Sequence, residues 1–143
     1  MKYIIISCIL SFVSFATTIA KIPNELPITV LGEYQGEPEN IRKESKARNP
    51  KILHYAENVI VIGPQKSIKW KMKDPHTSVK YNFAGNYGII EEKDKSFTLS
   101  CTVSYKDKNT VSSMNFYLIV MKDGKEITFL ETSKERSFTL KRK

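Results

Sequence analysis

The sequence predicts an all-β protein that folds as a single antiparallel up-and-down barrel of about eight strands. Segments of alternating apolar and polar residues recur along most of the chain, the most regular being SFTLSCTVSY at 96–105. Turn residues separate these segments at hairpin-length intervals. Short turns between antiparallel neighbours favour a closed barrel, because closure leaves no exposed sheet edge. A β-sandwich is the alternative arrangement.

Residues 1–20 are predicted to be a secretory signal peptide. Lys2 provides a positive start, residues 3–15 are largely apolar, and Thr18-Ile19-Ala20 is a small-residue cleavage site. The apolar run is short for a membrane span, so cleavage is expected in place of a retained anchor. The domain assignment is therefore signal peptide at 1–20 and β-barrel domain at 21–143. The expected location is secreted or periplasmic, with no stable membrane anchor after cleavage.

The chain is basic, with 23 Lys and Arg residues against 15 Asp and Glu residues and a formal charge of +8. Removing Lys2 with the signal peptide leaves 22 basic residues against the same 15 acidic ones, a formal charge of +7. Lysines are spread along the chain, a pattern typical of a soluble surface with protected sheet edges. The aromatic residues do not interleave with arginine as a base-stacking surface would, so no nucleic-acid partner is predicted.

The first half of the domain contains the first strand, a long connection and a series of hairpins. ITVLGEYQG at 28–36 predicts the first strand, and the charged segment 37–51 is a connection longer than most. Further strands are predicted at 52–62, 68–73, 79–83 and 89–91, with turns at 63–66, 74–76 and 85–88. In the third strand, Ile68, Trp70 and Met72 alternate with lysines, so the apolar side must face inward.

The strand at 96–105 has an apolar side and a hydroxyl side. Its apolar side contains Phe97, Leu99, Cys101, Val103 and Tyr105, and this side is expected to face the interior. The alternative is a polar interior lined by Thr98, Ser100, Thr102 and Ser104. Cys101 is the only cysteine left after cleavage, so no intramolecular disulfide is expected and the thiol should be a small buried hydrophobe.

The last part of the chain predicts a long strand, a tight hairpin and two short strands. Residues 114–121 are apolar on both faces toward their end, so this strand is expected to be central or covered on both sides. Asp123-Gly124 is a strong hairpin signal, and it is followed by a strand at 127–130. A turn at 132–136 then precedes a final strand at 138–140.

This layout resembles the small lipocalin-like barrels of exported bacterial proteins. The resemblance rests on Gly32-Glu33-Tyr34 in the first strand, on the long connection after it and on the hairpin-linked strands. The lipocalin family has a G-x-W motif whose tryptophan packs across the barrel base near an arginine from the end of the barrel. Tyr34 stands at the tryptophan position here, and Arg136 or Arg142 is the candidate arginine. The resemblance implies an eight-stranded barrel, with a cavity or a filled core, that binds and does not catalyse.

Two functions from different classes remain open. In the first, the barrel holds an apolar or amphipathic small molecule against its inward face, at Trp70, Met72, Tyr81, Phe83, Phe97, Tyr105 and Phe116. The resemblance places the basic connection at the barrel mouth, where anionic amphiphiles would be favoured by Arg42, Lys43, Lys46 and Arg48. In the second, a filled barrel acts as a periplasmic or secreted interaction or inhibitor-type protein whose partner is an envelope protein.

No residue pattern predicts catalysis, a metal site or a cofactor. The two histidines, His54 and His76, have no metal-ligand spacing, and no serine lies in a nucleophile-elbow context. Glu91 and Glu92 are adjacent in a predicted strand, so they face opposite sides and cannot act as paired carboxylates. The sequence therefore predicts a non-enzyme without a cofactor.

Overall fold

Eight antiparallel strands close into one barrel in a computed structural model of the chain. The structure describes residues 21–36, 57–73, 78–134 and 136–143, without the side chains of Glu57, Lys134 and Arg136. The strands are β1 (Gly32–Gln35), β2 (Glu57–Ile62), β3 (Ser67–Lys73), β4 (Lys80–Glu92), β5 (Ser96–Asp107), β6 (Thr110–Met121), β7 (Glu126–Glu131) and β8 (Arg136–Arg142). Short 3₁₀ turns lie at Ile28–Val30 and Thr132–Lys134.

The strand order is strictly sequential, and β1 closes the barrel by pairing with β8. This confirms the predicted all-β, up-and-down antiparallel barrel and excludes the sandwich. The registers define two ends. At one end, which we call the closed end, Gly32 pairs with Ile62 and the 3₁₀ turn at Ile28–Val30 precedes β1. At the other, the open end, Asn58 pairs with Met72 and Lys73 pairs with Lys80.

Strand alternation places the apolar side chains inside the barrel. Leu99, Cys101 and Val103 are at most 1% exposed, so the apolar side of 96–105 faces inward as expected. Thr102 and Ser104 are exposed on the outside, and the alternative of a hydroxyl-lined interior is therefore wrong. Trp70, Ile68 and Met72 of β3 are likewise buried, while Lys69 and Lys71 are exposed.

The predicted turn at 85–88 is wrong, because these residues lie within the continuous strand β4. Gly85 pairs with Val103 of β5, and a Cβ on Gly85 would overlap the carbonyl oxygen of Thr102. The glycine therefore permits close approach of two strands and does not mark a chain reversal. The irregularity in β4 lies further on, where the pairing with β5 shifts register between Ile89 and Glu91.

The predicted first strand at 28–36 is shorter in the structure. Its first residues form the 3₁₀ turn, in which the Val30 amide donates to the Pro27 carbonyl oxygen at 3.1 Å. The extended backbone begins at Gly32 and ends at Gln35. Pro27 has no amide hydrogen to donate to a neighbouring strand, and its φ is fixed. It is therefore suited to start a turn and not to pair within the sheet.

The outer side of β6 differs from the expectation that this strand is covered on both faces. Phe116, Leu118 and Val120 face the interior and are buried. Tyr117 is 38% exposed on the outside, and Ile119 is partly exposed beside it. No other described element packs over this face as a second layer, because the sheet is a single closed barrel. The predicted hairpin at Asp123-Gly124 is confirmed between β6 and β7.

Candidate functional site at the open end of the barrel

The closed end is tied together by Arg142 from the last strand. Its guanidinium donates hydrogen bonds to the carbonyl oxygens of Thr29 at 2.5 Å and Leu31 at 2.8 Å, on both sides of the residue that ends the 3₁₀ turn. The same group lies over the ring of Tyr34, 5.9 Å from its centroid. Arg142, one of the two candidate arginines, thus packs on Tyr34, whereas the side chain of Arg136 lies outside the described residues.

Tyr34 is fully buried beneath this arginine, and its hydroxyl donates to the Val30 carbonyl oxygen at 2.8 Å. Burial raises the pKa of Tyr34, an effect that the nearby Arg142 charge partly offsets. Gly124 of the β6–β7 hairpin has φ +68 and passes so close to the Thr29 carbonyl that a Cβ would overlap it. Each of these contacts has a backbone group or a buried side chain on at least one side. The closed end therefore has a structural role.

Aromatic rings fill the middle of the barrel. Phe129 contacts Trp70, Phe116 and Phe138, with ring centroids 4.9, 4.7 and 4.5 Å away. All four side chains are at most 2% exposed. Close-packed rings leave little room for a ligand at this level, so any small molecule would have to bind nearer to an end.

The open end contains a buried side chain amide. Asn58 has no solvent exposure, and its Oδ1 accepts a hydrogen bond of 2.7 Å from Nε1 of Trp70. Its Nδ2 is buried and has no hydrogen-bond partner in the part of the chain that the structure describes. A buried donor without a partner costs about 1–3 kcal/mol, so natural proteins retain one mainly where another group satisfies it.

Three aromatic rings lie on β4 and β5 toward the same end of the barrel. The ring of Tyr105 lies 5.6 Å from that of Tyr81 and 5.7 Å from that of Phe83, measured between centroids. Tyr81 and Tyr105 are partly exposed, whereas Phe83 is buried at 7% exposure. The rings therefore form an amphipathic surface between the filled middle and solvent. Met72, which pairs with both Asn58 and Tyr81, adds a flexible apolar side chain to it.

The described rim of the open end carries charges of both signs, with Glu57 opposite Lys73 and Asp107 at the end of β5, and it includes one pair of opposed lysines. Lys73 at the end of β3 pairs directly with Lys80 at the start of β4. Like charges directly opposite each other on adjacent strands are destabilising, and neither lysine forms an ion pair with a described carboxylate. An anionic group at this rim would relieve the repulsion.

The structure brings together six of the seven predicted ligand-binding residues. Besides the contacts above, Trp70 lies 5.9 Å from Phe83 and 5.4 Å from Phe116. Phe97 is separate from this group, because it pairs with Glu92 and Val120 towards the closed end and has the Lys122 ammonium 5.0 Å from its ring centroid. The predicted rim residues Arg42, Lys43, Lys46 and Arg48 lie outside the described residues, as do His54, His76 and the turn at 74–76.

Sequence reasoning missed Asn58. The signal was available, since Asn58, Ile60 and Ile62 alternate on one side of β2 and an amide at an inward position is unusual. The segment 52–62 predicts an apolar strand as a whole, and this pattern does not distinguish Asn58 from its neighbours.

The remaining chemistry of the described residues is structural. Burial raises the pKa of the Cys101 thiol to about 12, which keeps it protonated and unreactive as expected. Within the described ranges, no cluster of three His, Cys, Asp or Glu residues could hold a metal ion. In the same ranges, no helix has the length and apolar character needed to cross a membrane.

Comparison of the chain with protein-family models, with curated proteins and with solved structures finds no match. The barrel geometry and the contacts at its two ends are therefore the basis for assigning a function.

Proposed function

We propose that the protein is a binding module that holds a small amphipathic molecule at the open end of the barrel. The observation that carries this proposal is the buried Nδ2 of Asn58, which has no hydrogen-bond partner among the described residues. An acceptor oxygen of a ligand would complete the hydrogen bonding of this amide and offset its desolvation penalty of about 1–3 kcal/mol. The neighbouring Trp70 already fixes the orientation of the amide through Oδ1.

The surroundings of Asn58 favour a ligand with an apolar body. Tyr81, Tyr105 and Met72 offer apolar surface at the level where the interior is no longer filled by stacked rings. Ligand sites of this kind combine apolar walls with a few fixed polar groups that set orientation. The ligand would therefore seat shallowly, above Trp70 and Phe116, and not in a deep cavity.

The charge at the rim favours an anionic head group. Lys73 and Lys80 face each other across two strands, and an anion between them would convert repulsion into attraction. The basic connection predicted at the mouth would act in the same direction. Because these groups are at the rim, the preference for anions should weaken as salt is added.

We also propose that the protein is an exported relative of the lipocalin-like barrels and functions by binding alone. The packing of Arg142 over Tyr34, with hydrogen bonds to the 3₁₀ turn, supports that kinship. The predicted signal peptide supports a secreted or periplasmic location. The proposal of binding without catalysis is consistent with Cys101, because burial raises its pKa to about 12 and keeps the thiol protonated.

The proposal is tested with a matched pair of probes, anionic anilinonaphthalene sulfonate and neutral phenylnaphthylamine. Both should bind and change the emission of Trp70, which is the only tryptophan. The anionic probe should bind more tightly at low salt, and Lys80→Gln should reduce that advantage. Lys141→Gln, which alters an exposed lysine of β8 near the closed end, is the matched control and should not.

The role of Asn58 is tested by Asn58→Asp, which keeps an acceptor for Trp70 but replaces the free donor with an oxygen. Affinity for the anionic probe should fall by about tenfold or more, since a charge-assisted hydrogen bond becomes a repulsion. Asn86→Asp, on the exposed side of β4, is the control. Binding that is indifferent to Asn58→Asp would refute the proposal.

A second candidate function is a protein-interaction or inhibitor-type role with no small ligand. The stacked rings of Trp70, Phe116, Phe129 and Phe138 favour it, because a filled middle is what a purely structural core requires. If neither probe binds, this role stands, and an envelope protein captured by the folded barrel would be its expected partner.

A further inference from the structure

On the outer side of β4 to β8, a continuous block of side chains is uncharged, although the protein as a whole is strongly basic and Glu91 borders this block by accepting a hydrogen bond from Thr98. Outward-facing positions of five consecutive strands define this uncharged outer face: Ala84, Asn86, Gly88, Thr98, Ser100, Thr102, Ser104, Ser113, Asn115, Tyr117, Ile119, Thr128, Leu130, Ser137 and Thr139. Registers place these residues in continuous rows, for example Gly88, Ser100, Tyr117, Leu130 and Ser137. The hydroxyl side of the 96–105 strand is the centre of this face.

The face is distinct from the lysine-rich side of the barrel. On β3, the outward positions are Lys69, Lys71 and Lys73. They pair with outward residues in the first part of β4. A surface for anions or nucleic acid would use such lysines, and the uncharged outer face has none. Its chemistry is that of hydroxyl and amide groups around one partly exposed aromatic ring, Tyr117.

A groove of about 390 Å³ opens in this face where β6 and β7 separate. Tyr117 and Leu130 form the last pair of the β6–β7 ladder at this end, yet β6 extends back to Thr110 while β7 ends at Glu131. The groove lies in the resulting gap, with Ser100, Ser113, Asn115, Tyr117, Glu131 and Ser133 among its lining residues. Its volume falls in the range of about 300–1,000 Å³ that small-molecule sites occupy.

Two polar groups of the groove are held in fixed orientations by their neighbours. The Thr102 hydroxyl donates to Oδ1 of Asn115 at 2.9 Å, which leaves the Nδ2 donor of that amide to face other groups. The Ser133 hydroxyl lies 3.4 Å from Oε1 of Glu131, a carboxylate that is only 3% exposed. Donors and acceptors are thus both present beside the Tyr117 ring.

We propose that this groove binds a neutral saccharide. A sugar ring presents hydroxyl groups that both donate and accept, which matches the amide, hydroxyl and carboxylate groups of the groove. The C–H face of a sugar is apolar and packs on aromatic rings such as Tyr117. The lack of lysines in the face argues against an anionic ligand here. Phe116 borders both this groove and the proposed amphiphile site, but the polar groups of the groove are distinct from the Asn58 amide, so sugar binding here does not depend on the proposed amphiphile binding.

The test is NMR titration of the folded protein with maltose, cellobiose and di-N-acetylchitobiose at millimolar concentrations. At least one sugar should shift the amide signals of Asn115, Tyr117 and Ser133, with an affinity that salt does not change. Tyr117→Ala should weaken binding about tenfold, whereas Tyr117→Phe, which keeps the ring, should have little effect. Ile90→Ala, which removes another exposed apolar side chain outside the groove, is the control and should leave binding intact.

Thr102→Val tests the positioning of Asn115 without altering the amide itself. It should weaken sugar binding about threefold while leaving the unfolding midpoint nearly unchanged, because Thr102 is exposed. Affinity electrophoresis in soluble starch and hydroxyethyl cellulose distinguishes the source of the sugar. Retardation by a polymer without disaccharide binding assigns an extended glycan, and disaccharide binding alone assigns a free sugar.

Absence of binding in both the titrations and the electrophoresis would overturn the proposal. So would sugar-induced shifts confined to Asn58, Trp70 and Tyr105, which would move the sugar to the open end. Sugar binding that survives Tyr117→Ala unchanged would also contradict it. None of these results bears on the amphiphile probes, so failure here is distinguishable from failure of the proposed function.

Discussion

The two ends of the barrel differ in how their polar groups are paired. At the closed end, Arg142 satisfies the carbonyl oxygens of Thr29 and Leu31 and covers the buried ring of Tyr34. At the open end, the amide of Asn58 is as buried as Tyr34, but its Nδ2 has no partner within residues 21–36, 57–73, 78–134 and 136–143. The rim adds an opposed pair, Lys73 and Lys80.

This difference indicates a division of roles. Groups that are fully satisfied contribute to stability, and their loss should be measured as a fall in the free energy of unfolding. Groups left unsatisfied contribute little stability, and their retention is explained if a ligand completes them. Substitutions at the closed end should therefore lower stability, while substitutions at the open end should lower affinity.

The largest effect is expected for Tyr34→Ala at the closed end. Removing a fully buried aromatic ring should lower the free energy of unfolding by about 3–5 kcal/mol. Urea unfolding followed by Trp70 fluorescence measures it. Tyr34→Phe loses only the hydroxyl bond to Val30 and should cost about 1 kcal/mol. Tyr105→Ala at the open end should cost less than half as much as Tyr34→Ala, and equal costs would remove the contrast between the ends.

A smaller loss is expected for Arg142→Leu. The substitution leaves the Thr29 and Leu31 carbonyl oxygens without their charged donor, and it should cost about 2 kcal/mol. Lys141→Leu is the matched control, since Lys141 is an exposed cation on the same strand, and it should stay within about 0.5 kcal/mol of the wild type. If the two variants are equally stable, Arg142 does not hold the closed end together.

The predictability of these regions from sequence differed for a physical reason. Alternation of apolar and charged residues, as in Ile68, Trp70 and Met72 against lysines, determines which side of a strand is buried, so the barrel and its core were predictable. Glycine was ambiguous, because it is common in turns and also occurs within strands where another backbone approaches closely. Gly124 lies in a hairpin, whereas Gly85 allows β4 to approach the Thr102 backbone, a contact with a residue distant in sequence.

The candidate site was only partly predictable. The inward aromatic residues were identified by their period, but Phe97 was grouped with them because alternation shows the side of a strand and not the height along the barrel axis. Register sets that height, and it depends on the shift between Ile89 and Glu91 that no local pattern reveals. The free Nδ2 of Asn58 required three-dimensional hydrogen-bond geometry.

Alkaline pH should lower the free energy of unfolding through the buried thiol of Cys101. Because burial raises the pKa of Cys101 from 9.0 to about 12, the folded state retains a proton that the unfolded state releases between those values. Stability is therefore unaffected by this group below about pH 9 and falls above it, by about 1.4 kcal/mol per pH unit. Burial also raises the pKa of Tyr34 and Tyr87, so their contributions fall in the same direction at higher pH.

Cys101→Ala isolates the thiol contribution to this pH dependence. Between pH 9 and 10, its unfolding free energy should fall by about 1 kcal/mol less than that of the wild type, because the unfolded thiol is already half deprotonated at pH 9. Equilibrium urea titrations under reducing conditions at a series of pH values measure the two slopes. Parallel slopes would place the thiol in contact with solvent, which would contradict the inward orientation of β5.

The smallest stability effect is expected for Asn58→Leu at the open end. The change leaves the Trp70 indole N–H without its acceptor but removes the unpartnered amide donor, so the two penalties roughly cancel. The free energy of unfolding should change by about 1 kcal/mol or less, while affinity for the anionic naphthalene probe should fall. A large loss of stability with unchanged affinity would make Asn58 a structural residue like Tyr34.

The contrast between the ends is tested most directly by mapping backbone and indole N–H signals while anilinonaphthalene sulfonate is added. Shifts are expected at Asn58, at the Trp70 indole and at Tyr81 and Tyr105, with Gly32, Gly124 and Arg142 unaffected. Shifts concentrated at the closed end, or no shifts at saturating probe, would contradict the assignment of binding to the open end.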